Sequence, residues 1–189
     1  MKKRVLVTIL FIMVIAGLVT GCAEPATIQA STELVTEWVC YGCHETESIS
    51  YEDSQYNMAL ASKMLNGIII QPGEEFSWKS IFGEYYSQEN GFKKATLLGT
   101  DAYVSEVGVG VGQTLLTLYS ACNAARIHTY GFEIEKLIGM SSFEFNVLHM
   151  GKRDFLFTNT LNVPIRLAFV TDGNWCYCQL LIPKNQQIL

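Results

Sequence analysis

A pair of apolar runs near the end of the chain limits its fold more than any other feature. Ile165, Leu167 and Phe169 alternate with other residues up to the segment Thr171–Asn174, and a second apolar run extends over residues 175–182. The segment between them contains Asp-Gly, which is typical of a β-hairpin because glycine tolerates the positive φ of a type I′ turn. The sequence therefore predicts an antiparallel hairpin at the C-terminal end.

Shorter strand candidates precede this hairpin. Apolar side chains alternate again over residues 143–147 and 155–157, and β-rich stretches occur at 68–70 and 102–107. A Pro-Gly pair at 72–73 follows the first β-rich stretch and predicts a turn. The last third of the chain is therefore expected to form an antiparallel sheet.

Helical spacing occurs earlier in the chain. The stretch Ser50-Tyr51-Glu52-Asp53 can cap a helix, because a serine side chain accepts a hydrogen bond from the third helical amide and the acid three residues on favours the helix dipole. Gly67 directly after Asn66 is a good stop signal. The side chains at helical spacing, which we expect to form one face, are Tyr56, Ala59, Leu60, Lys63 and Met64.

A stronger helical pattern follows the glycine-rich block at residues 108–112. It covers about residues 113–127, where apolar side chains recur at helical spacing. The expected inner face comprises Leu115, Leu118, Tyr119, Cys122 and Ala125. Together these patterns predict an α+β fold, in which helices from the first two thirds pack on a mainly antiparallel sheet with a C-terminal β-hairpin.

The N-terminus has the three zones of an export signal. Basic residues occupy positions 2–4, an apolar run covers 5–19, and Val-Thr-Gly-Cys at 19–22 is similar to a bacterial lipobox. The apolar run is shorter than the ~20 residues that a spanning helix needs. We expect a lipoprotein signal peptide at 1–21 and lipid attachment at Cys22, which anchors the protein at the extracytoplasmic face of the cell membrane. The alternative is an uncleaved N-terminal anchor.

Composition and charge bound the rest of the chain. The 189 residues suit one domain after processing, and 49% of them are hydrophobic, enough for a core. We expect residues 22–50 to be a lipid-anchored tether and 51–189 to be the folded domain. The signal peptide contains the three basic residues at 2–4 and no acidic residue. Its cleavage therefore takes the formal net charge from −5 to −8. Nucleic acid is therefore excluded as a partner, because phosphates need a basic footprint.

Short motifs over residues 57–182 agree in order and spacing with a known family. Residues 108–121 read GVGVGQTLLTLYSA where that family has three glycines, Ile or Val, and a Cys-Gln pair ahead of a similar helix. The other motifs are Asn57, Leu65-Asn66-Gly67, Pro72-Gly73-Glu74, Phe76-Ser77-Trp78, Gly83, Gly91-Phe92, Ala95, Asp154-Phe155-x-Phe157-x-Asn159 and Pro164-Ile165. The chain thus resembles a VanW-like protein. The resemblance implies a cell-envelope role in Gram-positive bacteria, because the family takes its name from glycopeptide-resistance clusters.

Two positions depart from the family pattern. Gly112 stands where the family has the cysteine of its Cys-Gln pair, and Gly139 stands where it has a histidine. A cysteine at a helix N-terminus can be activated by the dipole together with a histidine and an acid. Gln113 supplies no nucleophile, and Cys122 lies on another side of the predicted helix. We therefore expect no catalytic residues.

The expected function is non-catalytic binding of a cell-wall component, such as peptidoglycan, or of an envelope protein. The alternatives are a peptidoglycan-modifying enzyme with other catalytic residues and a thiol redox or haem protein.

Free amides in the glycine-rich block can hold an anion, although close backbone packing is the simpler explanation. The candidate binding residues are Gly108, Gly110, Gly112, Gln113 and Tyr119. Exposed aromatic rings can also stack on sugars, although such clusters more often form a core. The aromatic candidates are Trp78, Tyr85, Tyr86 and Phe92.

Cys40 and Cys43 form a candidate thiol pair in the predicted tether. Together with His44 they fit the C-x-x-C-H pattern of haem attachment. A zinc site that also includes Cys176 and Cys178, or a redox dithiol, are further alternatives. The preferred interpretation is a structural disulfide or free thiols. We therefore expect no cofactor and no metal ion.

Overall fold

Three helices and nine strands occur in this computed structural model among the residues that it describes, which are 36–47, 52–98, 103–131 and 153–184. In chain order they are β1 (Trp38–Glu47), α1 (Glu52–Leu65), β2 (Ile69–Ile70), β3 (Glu75–Ser77), α2 (Trp78–Phe82), β4 (Lys94–Leu98), β5 (Tyr103–Val107), α3 (Val111–Ala124), β6 (Thr129–Tyr130), β7 (Leu156–Thr158), β8 (Ile165–Thr171) and β9 (Trp175–Pro183). Helices combined with antiparallel strands confirm the predicted α+β class.

The largest sheet has the strand order β1-β9-β8-β2, and every neighbouring pair in it is antiparallel. β8 and β9 form the predicted C-terminal hairpin. The N–H of Asp172 donates to the carbonyl of Trp175, so that Gly173 and Asn174 are the central residues of the turn. The predicted type I′ turn is wrong, because Gly173 has a φ of 89° whereas Asn174 has no positive φ. A positive φ at the first central residue alone is the pattern of a type II′ turn.

The folded domain extends further towards the N-terminus than the sequence predicts. Residues 38–47, which the sequence places in a tether, form β1 and pair with β9 along their whole length. β1 is an edge strand, since β9 is its only neighbour in the described sheet. The C-x-x-C-H motif therefore lies on the sheet. The predicted strand at 143–147, the predicted cap Ser50 and the lipid site Cys22 lie outside the described residues.

α1 and α3 cover one face of this sheet. α3 packs on β1 and β9, while α1 packs on β8 and on α3. The structure confirms the inner face predicted for α3, since Leu115, Leu118 and Cys122 are fully buried and Tyr119 is half-buried. α3 begins at Val111, two residues earlier than the sequence predicts.

α1 ends where the sequence predicts, but the side chains at helical spacing do not form its inner face. Glu52 begins the helix, and Gly67 follows its end with a φ of 91°. The inner face consists of Met58, Ala61 and Leu65, each no more than 1% exposed. Three polar side chains share that face, namely Ser54, Asn57 and Ser62. None of the predicted face residues is fully buried, namely Tyr56, Ala59, Leu60, Lys63 and Met64.

A small aromatic core fills the space beside the two smaller sheets, which have the orders β3-β7-β6 and β4-β5. Trp78, Phe82 and Phe92 are no more than 2% exposed, and Tyr86 is 7% exposed. The rings of Trp78 and Phe82 lie 4.4 Å apart, and Trp78 Nε1 donates to the Tyr86 hydroxyl at 3.3 Å. The core explanation, which the sequence analysis prefers for these rings, is therefore confirmed for Trp78, Tyr86 and Phe92, since only Tyr85 of that group is exposed.

Candidate functional site

The glycine-rich turn between β5 and α3 is packed closely against its neighbours. Gly108 and Gly110 have φ values of 86° and 103°, which L side chains rarely adopt. A Cβ on Gly108 would lie 2.6 Å from the Cβ of Tyr86, and one on Gly110 would lie 2.8 Å from the carbonyl carbon of Ser54. Close packing thus accounts for both glycines. Gly112 and Gln113 are buried in the first turn of α3.

Asn57 of α1 joins this turn to the start of β4. Its Nδ2 donates to the carbonyl oxygens of Lys93 and Val109 at 2.9 Å, and its Oδ1 accepts from the Lys93 N–H at 2.8 Å. Asn57 and Val109 are fully buried. One asparagine thus satisfies backbone groups that are 36 and 52 residues away in the chain.

Asp154 plays a similar part at the start of α2. Its Oδ2 accepts from the Ser77 hydroxyl at 2.6 Å, and its Oδ1 accepts from the Lys79 N–H at 2.9 Å. Ser77 itself caps α2, since its Oγ accepts from the Ser80 N–H at 3.0 Å. A carboxylate at a helix N-terminus is favoured by the helix dipole. Asp154 and Ser77 together therefore hold the segment before β7 against the start of α2.

Asn159, which follows β7, closes a third loop. Its Nδ2 donates to the carbonyl oxygens of Ile70 and Val163, each at 2.9 Å, and its Oδ1 accepts from the Leu161 N–H at 3.0 Å. Asn159 is fully buried. Since Asn57, Asp154 and Asn159 all belong to the short motifs of the sequence, these motif side chains bind the backbone of the fold itself.

A comparison with protein-family models identifies the family. The model described as "VanW like protein" matches residues 53–181, which is more than half of the chain. The chain belongs to the VanW-like family. No curated protein and no solved structure matches it. The predicted resemblance is confirmed, and the match includes Asn57, Asp154 and Asn159 but leaves β1 outside.

The VanW-like domain has a buried glycine at one of the two positions where the family pattern predicts reactive side chains. Gly112 is the second residue of α3 and is buried. The other position, Gly139, lies outside the described residues. Of the remaining candidates, Tyr119 is half-buried on α3 and packs against the core. Sequence and structure together therefore supply no thiol at the helix start.

Three of the cysteines line the inner side of the sheet. Cys122, Cys176 and Cys178 are buried, and burial raises the pKa of each thiol. The Sγ of Cys176 lies 3.6 Å from the Ser62 hydroxyl, in a polar cluster beneath α1 and α3. A neutral thiol is a poor nucleophile and a poor metal ligand. These cysteines are therefore core residues.

The register of β1 and β9 separates the other two cysteines from this buried group. Cys40 and Cys43 pair with Leu181 and Gln179, whereas His44 pairs with Cys178. Paired residues share a face of the sheet, and neighbouring positions alternate. Cys40 and Cys43 thus face outward, and His44 lies on the opposite face. Within the described ranges, no three His, Cys, Asp or Glu side chains form a group that could hold a metal ion.

The face of the large sheet opposite the helices carries aromatic and polar side chains that the sequence analysis did not select. We call this surface the outer sheet face. Its residues are Trp38, Cys40, Cys43 and Glu45 on β1, Arg166, Ala168 and Val170 on β8, and Trp175, Tyr177, Gln179 and Leu181 on β9. The alternation that predicts the hairpin also predicts this surface, because Trp175, Tyr177 and Gln179 occupy every second position of β9.

Neighbouring aromatic rings and charged groups lie together on the outer sheet face. The Arg166 guanidinium lies 5.9 Å from the centre of the Trp38 ring, and the rings of Trp175 and Tyr177 lie 6.5 Å apart. Burial and the nearby carboxylates of Asp172 and Glu45 raise the pKa of Tyr177. A surface depression of about 310 Å³ lies at this part of β1 and β9, lined by Cys43, Glu45, Tyr177 and Gln179 of the outer sheet face and by their chain neighbours His44 and Cys178.

None of the helices in the described part of the chain has the length and apolar character that crossing a bilayer requires.

Proposed function

We propose that this protein is a cell-envelope lipoprotein whose VanW-like domain binds the glycan of peptidoglycan without catalysing a reaction on it. Lipid on Cys22 would hold the domain at the extracytoplasmic face of the cell membrane. Two or three acyl chains give a stable anchor, since each buried CH₂ contributes about 0.8 kcal/mol. The domain then needs no membrane-spanning helix of its own.

The outer sheet face is the observation that carries the binding proposal. Sugar rings present apolar C–H faces and hydroxyl edges, so that a matching surface needs aromatic rings beside hydrogen-bonding side chains. Trp175 and Tyr177 supply neighbouring rings, while Gln179 and Glu45 supply an amide and a carboxylate around the depression. Its volume of about 310 Å³ falls at the small end of ligand pockets.

The absence of catalysis is supported by the residues at the two positions where the family pattern has a cysteine and a histidine. Gly112 places no nucleophile at the start of α3, and Gly139 places no imidazole where the family has one. Burial raises the pKa of Cys122, Cys176 and Cys178, so that these thiols stay neutral. The motif side chains Asn57, Asp154 and Asn159 are occupied by the backbone, as described above.

Retention on purified sacculi tests the proposal. The chain from Ala23 onward, which lacks the lipid site, is incubated with sacculi, and the bound and soluble fractions are separated by sedimentation. We expect the protein to sediment with the sacculi and Tyr177→Ala to reduce its retention at least fivefold. The matched control is Tyr56→Ala, because Tyr56 is exposed on α1, which packs on the other face of the sheet. This control should leave retention unchanged.

The same incubation distinguishes a binder from an enzyme. Chromatography of the supernatant measures soluble muropeptides, which a peptidoglycan-modifying enzyme would release or alter. We expect the profile to match that of sacculi incubated without protein. Protein that stays in the supernatant, or a muropeptide profile that changes with time, would refute the proposal.

A further inference from the structure

Cys40 and Cys43 lie on the same face of β1 although they are three residues apart. In a regular strand such residues point in opposite directions. Here the register shifts between Cys40 and Gly42, because these two residues pair with the consecutive residues Leu181 and Leu180. Tyr41 is therefore an extra residue, a β-bulge in the edge strand. The bulge places both thiols on the outer sheet face, in adjacent positions.

Gly42 holds this bulge against α3. A Cβ on Gly42 would lie 2.8 Å from the Ala121 carbonyl oxygen and 2.8 Å from the Ala125 backbone nitrogen. Since Gly42 is buried, no side chain fits between the strand and the helix. The glycine of the C-x-x-C motif thus has a structural role of its own. It fixes the backbone from which the two thiols project.

The two thiols are exposed and close to each other. Both cysteines are free, and the neighbouring Cys43 thiol contributes to raising the pKa of Cys40. Cys43 also lines the depression of about 310 Å³, which gives a second molecule access to its sulfur. By contrast, the other three cysteines of the described domain are buried. Surface access and projection from the same face of one strand favour reversible disulfide formation between them.

We propose that Cys40 and Cys43 form a reversible disulfide by exchange with a disulfide-bearing molecule. This inference goes beyond glycan binding and does not depend on it. The exchange begins at Cys43, which loses its proton to solvent and attacks one sulfur of the external disulfide. A mixed disulfide forms, and the other sulfur leaves as a thiolate. Burial and the neighbouring Cys43 raise the pKa of Cys40, so that its thiol stays protonated during this first attack.

The second step closes the bond within the chain. Cys40 loses its proton and attacks the Cys43 sulfur of the mixed disulfide, and the second external sulfur leaves as a thiolate. One external disulfide has then gained two electrons, and two protons have been released from Cys40 and Cys43 to solvent or to the leaving thiolates. The reverse exchange with a dithiol reduces the pair again.

Equilibration with glutathione tests the proposal. The purified full chain is incubated at graded ratios of reduced to oxidised glutathione, quenched with acid and alkylated after unfolding. As the glutathione ratio becomes more oxidising, mass spectrometry of the peptide that contains Cys40 and Cys43 should show both alkyl groups disappearing together, in one two-electron transition. Cys40→Ser should stop at a glutathione adduct on Cys43, because no resolving thiol remains. Both positions are exposed, so that serine is compatible with the fold.

A parallel incubation replaces glutathione with an oxidised C-x-x-C protein, so that the faster exchange identifies the source of the disulfide. A bridge formed with either oxidant supports the proposal. Independent glutathione adducts on Cys40 and Cys43, a bridge that no excess of reduced glutathione opens, or two thiols that stay reduced with both oxidants would overturn it. Alkylation before unfolding gives an internal control, because Cys122, Cys176 and Cys178 should stay protected.

Discussion

Replacement of Asn57 by alanine tests whether a motif side chain holds the VanW-like fold together. Asn57 makes three hydrogen bonds to the backbone of Lys93 and Val109, and it is fully buried. Each such bond contributes about 1 kcal/mol net. Alanine returns about 0.5 kcal/mol through its higher helix propensity. We therefore expect Asn57→Ala to lower the free energy of unfolding by about 2.5 kcal/mol.

The matched control is Asn123→Ala, because Asn123 lies in α3 and is exposed. It gains the same helix propensity but loses no buried partner, so its stability should stay within about 0.5 kcal/mol of the wild type. Urea titrations followed by circular dichroism measure both variants. With a slope of about 2 kcal/mol per molar urea, Asn57→Ala should shift the midpoint down by roughly 1.2 M. A shift as small as that of Asn123→Ala would refute the structural role of Asn57.

Three further predictions concern the glycine turn, the anchor and the thiol pair. Gly110→Ala should lower the free energy of unfolding by at least about 3 kcal/mol in the same assay, because the φ of Gly110 is positive and Ser54 occupies the space that a Cβ would need. Its control is Gly73→Ala, which should cost only about 1 kcal/mol, because a Cβ on Gly73 would meet nothing within 4 Å. Cys22→Ser should move the protein from the membrane fraction to the soluble fraction in a fractionation of expressing cells; retention in the membrane would favour an uncleaved anchor. The rate of Cys40 alkylation should rise at a higher pH than the rate for a cysteine in a short peptide, because the pKa of Cys40 is raised and only the thiolate reacts. Mass spectrometry measures both rates as a function of pH, and identical pH profiles would contradict the raised pKa.

The elements that the sequence predicts correctly are those whose own side chains carry the signal. α3 has apolar residues at helical spacing, and the C-terminal hairpin has alternating runs around a glycine turn. In both cases the residues that set the period are also the residues that the core buries. The inner face of α1 could not be predicted in this way. It contains the polar residues Asn57 and Ser62, whose burial is possible because they form hydrogen bonds with groups 36 to 114 residues away in the chain. No local period encodes such contacts.

The candidate site shows the same limit. Gly108 and Gly110 were recognisable as special positions, but only the structure shows that Tyr86 and Ser54 fill the space beside them. The sequence does not predict β1 as a strand, because the bulge at Tyr41 interrupts the alternation of its side chains. The outer sheet face combines β1 with β8 and β9, so that it exists only after strands more than 100 residues apart have paired.

Chemical-shift mapping with soluble peptidoglycan fragments tests the central claim most directly, because one titration locates binding and detects reaction. The chain from Ala23 onward, labelled with ¹⁵N, is titrated with purified glycan fragments while the fragment signals are followed. We predict shifts at the β1 and β9 positions of the outer sheet face, around Tyr177 and Gln179, with the fragments chemically unchanged. Shifts centred on Gly112 and Gln113, or fragments converted into a new product, would contradict the account.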